Sequence, residues 1–181
     1  MIGIPAPLIP NSRAVPHGAY ATIDFPSGSA DIAQVNPLFY GLWAFATATA
    51  HSSVIHAVTT TFSSNAFIKC YSVADPATGE TRVVVLHKDP AATHNATITV
   101  TPHGARLAGS AVLVRGLPDA GKGLASAWND HISFGGLSFA STSDGTPAGT
   151  PASEKVRASA AGTFDFELPP ASFVILTLPS S

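Results

Sequence analysis

Asp165 and Glu167 have a type and spacing that could do chemistry. Two carboxylates two positions apart on a strand share a face. Paired carboxylates can serve as acid and base at a glycosidic bond. Their neighbours argue against it. Phe164, Phe166 and Leu168 take the alternate positions, so the apolar set claims the core and both acids turn to solvent. Exposed neighbouring acids have no means of separating their pKa values, which acid–base work requires.

Residues Gly116 to Gly123 read GLPDAGKG, close to the phosphate-binding pattern G-x-x-x-x-G-K-[ST]. Gly123 stands where the magnesium-holding hydroxyl should be, and no amphipathic helix follows to aim its N-terminus at a phosphate. A loop between strands is the better reading. Seven histidines, His17, His51, His56, His87, His94, His103 and His131, are scattered. None falls in an H-x-x-x-H or H-E-x-x-H setting, so no metal site and no cofactor is expected. There is no G-x-S-x-G elbow for a nucleophilic serine. The single cysteine, Cys70, excludes an internal disulfide. It lies in an alternating apolar stretch without a cationic cluster, as a small buried hydrophobe does. Trp128, Tyr71 and Phe139 can stack on a sugar if exposed, although core or loop packing is the usual fate of such rings. The sequon Asn95-Ala96-Thr97 makes Asn95 a glycosylation candidate.

Composition sets the frame for these residues. The chain has 181 residues, of which 45% are hydrophobic and only 11% charged, with 15 Gly and 15 Pro. That favours β structure joined by many turns. The formal net charge of -2 and the lack of any basic run exclude a nucleic-acid surface. The apolar start MIGIPAPLIP has no basic region and three prolines, which does not fit a signal peptide.

One helix is expected. Asn36 can cap it, and Pro37 suits its first position. Leu38, Phe39, Leu42, Trp43, Phe45 and Ala46 cover more than one face, and no charge occurs from Asn36 to Ala50. Such a helix must be buried on most sides, and it is too short and Thr-rich to span a membrane. A short strand is expected at Tyr20–Phe25. After Ala50 the period changes to two, predicting strands at Ile55–Thr61, Phe67–Ala74, Arg82–Lys88, Thr97–Thr101, Ala111–Arg115, Ile132–Phe139, Thr163–Leu168 and Ser172–Leu178. Val83–Leu86 is apolar on both faces and should be central. Ser141 to Ala161 reads as a polar loop. Short strands separated by Asp75-Pro76-Ala77-Thr78-Gly79 and similar turns predict an antiparallel β-sandwich.

The order of the pieces resembles a known family. NPLFYGLWAFATATA at Asn36–Ala50, TRVVVLHKD at Thr81–Asp89, ISFGGLSFASTSDGTPAG at Ile132–Gly149 and LPPASFVILTL at Leu168–Leu178 are similar to segments of glycoside hydrolase family 79, the heparanase and β-glucuronidase family. His87 stands where that family usually has Asn. The matches extend over about Tyr20 to Leu178.

The resemblance implies a (β/α)8 barrel with an appended β-sandwich, and two catalytic glutamates on barrel strands upstream of Met1. A barrel needs roughly 200 residues or more, which this chain cannot hold. Glu80, Glu154 and Glu167 match no catalytic motif of the family, so no catalytic residue is assigned. Residues 1–50 are then expected to be the end of a barrel, its last strand and helix, and residues 51–181 the C-terminal β-sandwich. In an intact barrel His17 and Tyr20 would border a sugar pocket. The expected partner is a catalytic barrel missing from this chain, with glucuronide-bearing polysaccharide or glycoprotein glycans as further candidates and neither nucleic acid nor membrane. The family type implies an extracellular protein. Two alternatives stand beside the supporting domain: a free-standing carbohydrate-binding module, and a truncated gene product without separate activity.

Overall fold

The computed structural model of the chain describes residues 22–25, 28–50, 54–61, 67–88, 94–103, 109–118, 132–140 and 142–178. These residues form a mainly antiparallel β structure with one helix. Strand β1 (Ile23–Asp24) pairs with β2 (Gln34–Val35), and α1 (Pro37–Ala48) follows. Then come β3 (Val54–His56), β4 (Ile68–Ala74), β5 (Thr81–His87), β6 (Ala96–Val100), β7 (Ser110–Pro118), β8 (Ile132–Phe134), β9 (Leu137–Ser138), β10 (Ala148–Gly149), β11 (Glu154–Arg157), β12 (Phe164–Leu168) and β13 (Ser172–Thr177).

The large sheet runs β10-β9-β8-β7-β13-β5-β4-β3, and β11 pairs with the first half of β7. A two-stranded sheet of β12 and β6 covers one face. As expected, Val83–Leu86 is central, since β5 is paired on both sides by β4 and β13. Alternation decides which side chains meet between the sheets. Val83, Val85, Leu113, Val174 and Leu176 of the large sheet face Phe164, Phe166 and Leu168 of β12. Burying each such side chain contributes about 1.5–3 kcal/mol. Ile98 and Val100 of β6 pack against the same core.

The opposite face of the large sheet is not open. Helix α1 lies on it, joining Tyr40, Ala44 and Ala48 to Ile175, Phe134 and Phe139 in a second core. Trp43 meets Phe134 edge-on with ring centroids 5.0 Å apart, and Phe39 meets Phe139 in the same way at 5.0 Å. The Tyr40 hydroxyl accepts the buried Phe139 N–H at 2.7 Å and lies 3.3 Å from Ser138 Oγ. At the other end of α1, Arg82 Nη1 donates to the Ala48 carbonyl at 3.1 Å. A cation from β5 thus meets the negative end of a helix that has no basic residue in its own last turn.

Several local expectations are corrected. Asn36 occupies the N-cap position but makes no side-chain cap bond. The β1–β2 pairing brings Asp24 within reach, and Asn36 Nδ2 donates to its carboxylate at 2.9 Å while Gln34 Nε2 donates to Asn36 Oδ1. The expected single strand Ile132–Phe139 is two strands. Gly135 and Gly136 sit at φ 58 and 77, the left-handed pair that a two-residue hairpin turn requires. The polar stretch Ser141–Ala161 contains β10 and β11. Val156 is its one buried large apolar residue, too little apolar signal for alternation to be read. The strand expected over Ile55–Thr61 stops at His56, and the residues that follow run exposed and unpaired.

Candidate functional site

The carboxylates fall apart as catalytic candidates when their partners are seen. Asp165 Oδ1 accepts the Thr99 hydroxyl at 2.6 Å, and Glu167 Oε1 accepts that of Thr97 at 2.8 Å. Both are exposed cross-strand pairs on the outer face of β12 and β6. They stabilise the small sheet modestly and aim at no cavity. Glu80 is ion-paired with Arg82. Glu154 is ion-paired with Arg115, whose Nη1 also donates to the Glu167 carbonyl at 2.7 Å. That guanidinium bridges the two sheets beside a shallow cavity of about 260 Å³ lined in part by Leu113, Ser133, Gly136 and Ser153. Among the described residues that line it, Glu154 is the one carboxylate, and it is ion-paired to Arg115.

His87 is the buried histidine among the described residues. Its Nδ1–H donates to the Leu168 carbonyl at 3.1 Å, a second brace from the large sheet to β12. His56, His94 and His103 are exposed, and no group of three metal-ligating side chains occurs among the described residues. Cys70 is half-buried, and burial pushes its thiol above the ordinary range, which makes it a poor nucleophile. The loop expected over Gly116–Gly123 is corrected at its start: Gly116 to Pro118 belong to β7. Gly116 is small because the Phe173 ring lies over it, where a Cβ would overlap the ring. The rest of that motif, Trp128, and the expected pocket residues His17 and Tyr20 lie outside the described residues.

Asn95 is exposed immediately before β6. Of the aromatic candidates, Phe139 is a core residue at 8% exposure, held by the rings of α1. Tyr71 is exposed at 47%. The sequence reading missed its companion Phe67, exposed at 60%. The signal was present, because Phe67 and Tyr71 are four apart in one predicted strand and so share a face.

The largest feature beyond these is α1 itself. Tyr40, Ala44 and Ala48 seat it on the sheet, while Leu38, Leu42 and Phe45 are exposed at 41%, 52% and 61%. Their spacing of four and three residues makes one outward stripe. The expectation that α1 is buried on most sides is therefore corrected: the sheet covers one side, and a second apolar side faces outward. Among the described residues no helix is long and apolar enough to cross a membrane.

No protein-family model and no curated protein matches this chain. Solved structures do show partial similarity. CelM2, a bifunctional glucanase-xylanase from a metagenome library, matches with TM-score 0.37 and 17% identity over 63% of this chain and 16% of its own. A glycoside hydrolase family 44 endoglucanase from Clostridium acetobutylium ATCC 824 matches with TM-score 0.39 and 13% identity over 63% and 17%. An α-L-arabinofuranosidase from Thermotoga maritima matches with TM-score 0.39 and 8% identity over 62% and 19%. The chain thus spans only 16% to 19% of these proteins. None of the three is described as a family 79 enzyme.

Proposed function

We propose that this chain is a non-catalytic β-sandwich domain that supports the catalytic barrel of a glycoside hydrolase of the β-glucuronidase type. The outward stripe of α1 carries the reading. A helix with Tyr40 and Ala44 buried in one core and Leu42 and Phe45 presented on its other side is built to lie between two bodies. The absence of charge from Asn36 to Ala50 fits the same use, since a helix that is solvated on one face normally carries charged residues there. The order of segments similar to family 79 supports a β-glucuronidase-type barrel as the second body, and the exposure of Leu42 and Phe45 supports them as its contact. Hydrolysis then belongs to glutamates outside this chain, and Glu80, Glu154 and Glu167 are structural.

The test uses the purified chain added to a β-glucuronidase barrel stripped of its own C-terminal domain. The expected result is recovery of soluble barrel and of aryl β-glucuronide hydrolysis, lost when Leu42→Asp and Phe45→Asp are combined. The chain alone is expected to hydrolyse nothing. Turnover by the chain alone that disappears with Glu167→Gln, or recovery indifferent to the two α1 changes, overturns the reading.

A further inference from the structure

We propose that the β4–β5 surface carrying Phe67, Lys69, Tyr71 and Lys88 binds an acidic oligosaccharide, one bearing carboxylate or sulfate groups on pyranose rings. The surface shares the face of the large sheet on which α1 lies, where Val84 joins the α1 core and Arg82 donates to the Ala48 carbonyl. Phe67, Lys69, Tyr71 and Lys88 stay exposed beside the helix, and no catalytic barrel is needed for the binding. Ile68 and Cys70 point into the core between the sheets, so Phe67, Lys69 and Tyr71 point to the other face. The register sets Tyr71 opposite Val84 and Lys69 opposite Leu86. The Lys88 N–H donates to the Phe67 carbonyl at 3.0 Å, which continues the ladder and puts Lys88 opposite Phe67.

Singly exposed aromatics need no explanation. Here two rings, 60% and 47% exposed, share a face with two exposed lysines. Four strand residues at about 3.4 Å each put the rings roughly 14 Å apart, a span for several linked sugar rings and not for one. The flat C–H face of a pyranose suits the negative face of an aromatic ring. The lysines choose the charge. Along β4 and β5 the residues of this face are Phe67, Lys69, Tyr71 and Val73, then Arg82, Val84, Leu86 and Lys88. The acid just before β5, Glu80, is taken up by Arg82 at the far end from the lysines. Neither Lys69 nor Lys88 is ion-paired with another described residue. A local positive field on a chain of net charge -2 attracts an anion, and the two flat rings suit an anion built on pyranose rings.

Affinity electrophoresis and calorimetry on the full chain test this with polygalacturonate, chondroitin sulfate, neutral cellohexaose and oligo(dT). Binding to polygalacturonate, to chondroitin sulfate or to both is expected: polygalacturonate binding shows that carboxylate suffices, and binding only to chondroitin sulfate, which carries both groups, points to sulfate. Tyr71→Ala and Phe67→Ala should each weaken it by about fivefold or more, and Lys69→Glu with Lys88→Glu should abolish it, with circular dichroism unchanged. Binding to neither acidic glycan overturns the proposal. So does equal binding of cellohexaose, a preference for oligo(dT), or affinity that survives loss of both rings.

Discussion

Removing one oxygen tests how α1 is fixed to the sandwich. The Tyr40 ring is 2% exposed, and its hydroxyl is a hydrogen-bond partner of the buried Phe139 N–H at 2.7 Å. Tyr40→Phe keeps the ring, its burial and its edge contact with Phe139 at 5.8 Å. Only the acceptor is lost. A buried N–H left without a partner costs about 1–3 kcal/mol, and Ser138 Oγ, 3.3 Å from the hydroxyl, loses a neighbour as well. The expected destabilisation is therefore about 1–3 kcal/mol, nearly all from the orphaned donor. Tyr40→Ala removes the ring too, and aromatic truncation in a core costs about 3–5 kcal/mol. Urea unfolding of the full chain followed by tryptophan fluorescence reads both, because Trp43 packs 6.4 Å from Tyr40. A Tyr40→Phe midpoint within about 0.5 kcal/mol of wild type would refute the reasoning. The Phe139 N–H would then have another acceptor, and α1 would be held by ring packing alone.

Two further expectations concern the sheet. Gly136→Ala places a side chain at φ 77 and overlaps the Thr150 carbonyl. It should cost about 2 kcal/mol or more through strain and overlap together, seen as a lower thermal midpoint; an unchanged midpoint contradicts the turn geometry. Cys70 should react with iodoacetamide at pH 8 more slowly than a free cysteine peptide and approach the peptide rate in urea. Its folded pKa is raised by burial, so its contribution to stability is complete below the ordinary thiol range and declines as pH rises through it. Equal rates in the folded and unfolded chain would show that the thiol is not desolvated.

The sequence by itself determined much of the sandwich. Phe164, Phe166 and Leu168 alternate with Asp165 and Glu167, and that period assigns each side chain to a face before any partner is known. The doubly apolar run Val83–Leu86 likewise announces a strand covered on both sides. The weak strands β10 and β11 were not legible: β10 is only Ala148 and Gly149, and β11, Glu154–Arg157, has one apolar residue, Val156, so neither shows alternation. The fate of Phe139 was not legible either, since an exposed and a core aromatic look alike until the neighbouring elements are placed.

Tertiary structure alone decided what α1 does. A helix apolar on all sides gives no moment from which to choose a buried face. The choice was made by the flat apolar area at Ile175, Phe134 and Phe139, together with two fixed polar contacts, the Tyr40 hydroxyl at Phe139 and the Arg82 guanidinium at Ala48. Hydrogen bonds are directional and hydrophobic burial is not. Composition could therefore require that α1 be covered, while the apolar area and those two contacts together fix which side meets the sheet and leave Leu38, Leu42 and Phe45 facing outward.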